Sequence, residues 1–258
     1  PNLFEVLIPS AQSDYDEADR ISATDPVLAS RKPIPSGRRK IANARRIAEA
    51  TQTARRKIFP ILDERRASLA EQRYQTDWIE ESVLALSNRA NELYAEAAER
   101  NIVEEATAFE NAVETLGQIA VHCDNLAKNL DAKLTPSVAK LADAITNGRE
   151  TISNRLKIAK DAALKETNYV PDDRLEFARK QLQACRAAIH RGNAAAAEDA
   201  SLATQESLAD GHAIINDSLA ALDRFDDLLR KRRGRHTTIE GRIPKLRSRL
   251  ETAHESFA

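Results

Sequence analysis

The chain has 258 residues, of which 42% are hydrophobic, 31% charged and only 4% aromatic, with seven glycines, nine prolines and a net charge of -1. So few aromatics beside so many charges exclude a thick globular core and suit narrow seams between helices. No apolar run approaches the roughly 20 residues needed to span a bilayer, and the N-terminus lacks the charged and apolar regions of a secretory leader. The expected protein is soluble, cytoplasmic and all-α, an elongated antiparallel helical bundle or coiled coil.

Residues 1–36 break that pattern. Leu3, Phe4, Val6, Leu7 and Ile8 form one short apolar patch, followed by Ser, Asp and Pro punctuation as far as Pro35 and Gly37. No helical period survives there, so the reading is an extended N-terminal arm whose apolar tip, around Phe4 and Leu7, docks on this chain or on a partner. Residues 37–258 read as a single elongated bundle, with a sub-division allowed near 134.

The first helix is placed from a capping Ser36 through Ile41, Ala44, Ile47 and Ala54 to about Phe59. Pro60 then kinks or restarts the chain. Between Pro60 and Lys133 the sequence holds no further proline and one glycine, Gly117, which allows a rod of about 110 Å at 1.5 Å per residue. The stripe of its first half (Val83, Leu86, Ala90, Leu93, Ala97) slips phase near Asn101. One continuous rod is the preferred reading, with a tight turn at Asn101 as the other. Beyond it Ala106, Phe109, Val113, Leu116, Ala120, Cys123, Ala127, Leu130 and Leu134 advance in alternating steps of three and four, the spacing of a helix seam.

Thr135 followed by Pro136 reads as a helix start, with Val138, Ala142, Ile145, Ile152 and Leu156 on the next stripe. A break is expected over 167–173, and Asp172 or Asp173 opens a helix carrying Leu175, Ala178, Leu182, Cys185 and Ile189. Gly192 and Asn193 end it with a left-handed cap. A helix from about Ala194 to Arg233 then bears Leu208, Ile215, Leu222 and Leu229 at steps of seven, and a last helix follows Pro244 with Leu246 and Leu250. Short connections at 134–136 and 191–193 imply that neighbouring helices double back.

Charge is segregated along the chain. Residues 31–66 carry twelve basic and three acidic side chains, residues 67–131 four basic and thirteen acidic, and residues 230–258 nine basic and three acidic. The first basic block holds Arg31, Lys32, Arg38, Arg39, Lys40, Arg45, Arg46, Arg55, Arg56 and Lys57. The second holds Arg230, Lys231, Arg232, Arg233 and Arg235, with Arg242, Lys245, Arg247 and Arg249. Such blocks pair with acidic blocks of the same chain or a second copy, or neutralise nucleic-acid phosphates or anionic lipid heads. Aromatics for base stacking are sparse in both, with Phe59 and His236 the exceptions.

Site chemistry is missing from the sequence. No glycine-rich phosphate loop, serine elbow or paired-cysteine metal motif occurs, and Glu251 with His254 makes one Glu-x-x-His pair where a carboxylate-bridged iron site needs two. No catalytic residue, cofactor, metal or small-molecule substrate is therefore expected. Cys123 and Cys185 fall on seams and read as buried, reduced thiols. Trp78, the single tryptophan, reads as a packing residue, with a partner-binding anchor as the other role. Together these features point to a non-enzymatic scaffold or adaptor that self-associates or binds protein partners. The alternative is a binding module for nucleic acid or anionic membrane acting through blocks 31–57 and 230–249.

Overall fold

The computed structural model describes the backbone of residues 3–158 and 171–255, and side chains within 9–155 (except 98) and 171–252. The protein is all-α, with no strand among the described residues. Its helices are α1 (Leu3–Ser22), α2 (Pro26–Arg31), α3 (Pro33–Thr53), α4 (Phe59–Glu71), α5 (Asp77–Glu99), α6 (Val103–Asn129), α7 (Thr135–Ile158), α8 (Asp172–His190) and α9 (Ala194–Glu255), with π-helical turns at Ala54–Ile58 and Leu130–Leu134. None is long and apolar enough to cross a membrane among the described residues. The chain divides into two compact units, Pro1–Leu134 with Gln181–Leu202 and Thr135–Lys180 with Ala203–Ala258.

Where an extended arm was expected over 1–36, residues 3–22 and 26–31 are helical and α3 follows from Pro33. The helical face of α1 is hard to see in the sequence because it is built from Ala11, Ala18 and Tyr15 with a charge, Asp14, among them. Asp14 is compensated by Lys40 of α3, whose ammonium lies 2.8 Å from its carboxylate and donates to Ser10 Oγ at 2.9 Å. Tyr15 approaches α3 at Gly37, where an added Cβ would stand 3.1 Å from the ring. Asp25 caps α2 by accepting from the Leu28 amide at 3.0 Å, with Pro26 in the first turn,. Consequently α3 begins at Pro33, and Ser36 lies inside it rather than capping it.

At two prolines where a new helix was expected to start, α4 and α7 do begin, but the chain before them stays helical for one shared reason. Pro60 and Pro136 each stand two residues after a π-helical turn, 54–58 and 130–134. A proline has no N–H to return to the carbonyl four residues back. The widened turn just before it resets the backbone register, so the chain stays helical. At the first site the Phe59 amide donates to Ala54 O, five residues back. Residues 134–136, where a turn between neighbouring helices was expected, are thus helical, and Pro244, also placed at a helix start, lies inside α9.

The rod expected over 60–133 is interrupted twice. At Asn101 the alternative turn is present: α5 ends at Glu99, and three residues later α6 packs back against it. Leu93, Ala97, Ile102, Ala106 and Phe109 join Ile47 and Ala50 of α3 in one core. Asn43, 2% exposed, donates from Nδ2 to Arg100 O at 3.2 Å and ties that turn to α3. The other interruption, at 72–76, is a Schellman cap in which the Arg73 amide donates to Ala70 O and the Tyr74 amide to Leu69 O, both at 2.9 Å,. Arg73 occupies the left-handed position at φ 66°. The same two bonds recur where expected, from Gly192 to Ile189 O and from Asn193 to Ala188 O, with Gly192 at φ 67°. Asn193 Oδ1 then caps α9 by accepting from the Ala196 amide at 3.1 Å.

In the second unit, Val138, Leu141 and Ile145 of α7 and Leu208, Ile215 and Leu222 of α9 are buried. Gly211 lets the two helices close, since a Cβ there would stand 2.9 Å from Leu141. Arg155 pairs with Asp223 at 2.6 Å, and Ser207 Oγ donates to Arg174 O at 2.7 Å. The break expected at 167–173 lies largely outside the described residues, and α8 opens at Asp172 as its acidic start suggests.

Candidate functional site

Three places on the molecule combine polar chemistry with an unusual environment. The first is Asp124 on α6, whose side chain is 0% exposed. Its Oδ1 accepts from Ser68 Oγ at 2.6 Å and Gln72 Nε2 at 3.1 Å; its Oδ2 accepts from Arg65 Nη1 at 3.0 Å and Lys128 Nζ at 2.7 Å. Burial pushes the carboxyl upward in pKa, but the hydrogen bonds from Lys128, Ser68 and Arg65 outweigh it and hold the group below the usual range,. Arg65 and Ser68 of α4 and its C-cap Gln72 lie on one side of that helix, so the cluster locks α4 to α6. Four donors saturate the carboxylate and leave no lone pair for a ligand. Sequence reasoning passed over Asp124 because it sits beside the seam residue Cys123, where periodicity reports only apolar positions.

A second place is a groove in the first unit of about 1040 Å³, with Ile41, Ala44 and Ala48 of α3 facing Leu86 and Ala90 of α5 over Phe109. Alanines leave the space. Thr51 and Tyr94 hydroxyls satisfy each other across it at 2.9 Å, and Arg45 pairs with Glu49 at 2.8 Å. No polar atom lining the groove is both buried and unpartnered among the described residues.

The third place is the end of α9. Every residue from 230 to 252 is exposed, a helical stretch of about 35 Å at 1.5 Å per residue,. Leu208, Ile215 and Leu222 are buried, and the same step of seven continues through Leu229 and His236 to Ile243 and Leu250. With Ile239 and Leu246 these residues form an apolar stripe, yet Ile239 is 59% exposed, Ile243 52%, Leu246 57% and Leu250 71%. Gly234, Gly241 and Pro244 fall on the opposite side, and a Cβ on either glycine would meet nothing within 4 Å. In the sequence Leu208, Ile215, Leu222 and Leu229 were legible as one seam and Leu246 with Leu250 as part of a separate last helix; that a single helix carries them together with Ile239 was not.

The basic residues have divergent fates. In the first block Lys40 is committed to Asp14, Arg45 to Glu49, and Arg46 donates to Thr107 Oγ1 at 2.6 Å. Arg31, Lys32, Arg38, Arg39, Arg55, Arg56 and Lys57 are exposed without an ion pair among the described residues. In the second block Arg230 lies 3.9 Å from Asp227, while Lys231, Arg232, Arg233, Arg235, Arg242, Lys245, Arg247 and Arg249 have no ion pair among the described residues. Phe4 and Leu7 lie on α1, but their side chains are outside the described residues. The same holds for the His254 side chain.

Trp78 is half-buried, its ring against Gly192, where any Cβ would collide with it. A role unseen in the sequence belongs to His190: its Nδ1 accepts from the Gln75 amide at 2.9 Å, and its ring sits 5.0 Å from that of Tyr74. It thereby fastens the 72–76 turn. Burial pushes the Tyr74 phenol up to about 12. Cys123 and Cys185 are free and buried, and burial pushes both thiols up to about 11, so they pack as thiols rather than react,. No group of three or more His, Cys, Asp or Glu is placed to hold a metal among the described residues. No family model, curated protein or solved structure matches this chain.

Proposed function

We propose that this chain is a non-enzymatic interaction protein, a scaffold or adaptor that engages protein partners through coiled-coil pairing and works in the cytoplasm. One observation carries the reading: the seam of α9 that is buried at Leu208, Ile215 and Leu222 runs on in the same register into Ile239, Ile243, Leu246 and Leu250, which nothing covers among the described residues. A packed seam that continues uncovered invites another helix, because an a/d stripe is stable only against a complementary one. The free thiols Cys123 and Cys185 suit a reducing compartment,.

A second reading, binding to nucleic acid or an anionic membrane, draws on the exposed arginines without ion pairs in blocks 31–57 and 230–249. It gives the apolar stripe no task on nucleic acid, and the stripe is narrower than the apolar face of interfacial helices. The separating experiment is affinity capture with the full chain and with a Leu246→Ser/Leu250→Ser variant, with and without nuclease, at low and high salt. Defined proteins retained at high salt by the parent chain and lost in the variant support the scaffold reading. Recovery that is nuclease-sensitive or lipid-associated, salt-labile and unchanged in the variant overturns it.

A further inference from the structure

We infer that the partner for the free end of α9 is an amphipathic helix with acidic residues flanking its apolar seam; the inference rests on the protein-partner reading above. Taking Ile243 and Leu250 as a positions and Ile239 and Leu246 as d positions, the g positions are Arg235, Arg242 and Arg249 at steps of seven. The e positions are Arg233, Glu240 and Arg247. Five of the six side chains bordering the seam are therefore arginines, and all six are exposed. In a coiled coil these positions face the partner's own flanks and select it by charge.

This pattern argues against the chain's own segments as the occupant. Antiparallel self-pairing would set g against g, arginine against arginine. Parallel pairing would join Arg235 favourably to Glu240 of a second copy but oppose Arg242 to Arg247. The acidic segment 67–131 has the right sign, but its seam (Leu93, Ala97, Ala106, Phe109, Val113) is already buried in the first unit's core. Residues 157–165 have the wrong charge for the arginines, with Lys157, Lys160 and Lys165 against one acid, Asp161. A separate helix with glutamates or aspartates at its e and g positions satisfies both the apolar stripe and the arginines.

The test uses the full chain and two labelled synthetic helices of about four heptads, identical at a and d, one with Glu and the other with Lys at every e and g position. Fluorescence anisotropy reads their binding at low and moderate salt. The Glu-flanked helix is expected to bind, with affinity falling by about 30-fold or more in the Leu246→Ser/Leu250→Ser variant. A triple Arg235→Glu/Arg242→Glu/Arg249→Glu variant is expected to prefer the Lys-flanked helix. Both variants alter exposed positions, so unchanged thermal melts show that the fold survives. Equal binding of the two helices by the parent chain overturns the acidic-partner inference and leaves the protein-partner reading standing. Binding of neither helix, while vesicles of phosphatidylserine and phosphatidylcholine in about equal parts or a DNA duplex bind parent and serine variant alike, overturns both.

Discussion

Two stripes of the same period meet opposite ends in this protein. On α6, Ala106, Phe109, Val113, Leu116, Ala120 and Cys123 are all buried; on the end of α9, Ile239, Ile243, Leu246 and Leu250 are all more than half exposed. Periodicity records that a helix has a face to be covered. It does not record what covers it. The α6 stripe has α3, α4 and α5 around it, supplied by turns at 72–76 and 100–102 that fold the chain back, whereas no turn among the described residues returns a helix to residues 239–250.

The widest gap between the two stripes is expected from paired truncations. Phe109→Ala should cost about 3–4 kcal/mol, as for aromatic truncation in a core, whereas Leu246→Ala should stay within about 0.5 kcal/mol, as at an exposed site. Denaturant melts of the two variants check this, and a large loss for Leu246→Ala would mean that the α9 stripe is covered within the chain itself.

Asp124 tests whether the α6 face is also fixed by charge. Asp124→Asn should cost about 2–3 kcal/mol, below the full penalty of a broken buried pair because Lys128 and Arg65 are partly exposed. Because the folded carboxyl is held below its usual range, its contribution is present above the ordinary carboxylate pKa and is lost as the pH falls through the lower, folded value. The stability of the parent chain should therefore fall more steeply on acidification than that of the Asn variant, as denaturant titrations across the acid range would record.

The turns that give the α6 stripe its neighbours can be probed next. Gly192→Ala puts a Cβ at positive φ and against Trp78, and a loss of about 2 kcal/mol is expected from the left-handed backbone alone. Arg73→Gly should act in the opposite sense, stabilising by about 0.5 kcal/mol, the difference between relief of left-handed strain and the greater freedom of glycine when unfolded. Thermal melts of the two variants measure both effects, and destabilisation by Arg73→Gly would mean that the arginine side chain itself holds the turn.

These two caps show why part of the fold was legible and part was not. The turn at Gly192 was readable because glycine is the residue that left-handed backbone favours; the turn at Arg73 has the same hydrogen bonds with a residue that carries no such signal. Pro60, Pro136 and Pro244 read as breaks because local rules forbid proline inside a regular helix, and π-helical turns before the first two accommodate it. Asp14 and Ala11 concealed α1, since its face depends on Lys40 and Gly37 of another helix. Asp124 was hidden for a similar reason: a buried charge is recognisable only once Arg65, Ser68 and Gln72 are known to surround it.

By itself the sequence determined the all-α class, the seam positions of α6, α8 and the first part of α9, the stop at Gly192 and the segregation of charge. Each of these is encoded by residues within a turn or two of one another, through side-chain periodicity, backbone preference or simple composition. Only the tertiary structure decided that residues 3–22 are helical, that the chain turns at 72–76, that Asp124 is saturated by four donors and that the α9 seam ends uncovered among the described residues. Those outcomes depend on pairings between residues far apart in the chain, and burial is a property of the pair, not of either stripe alone.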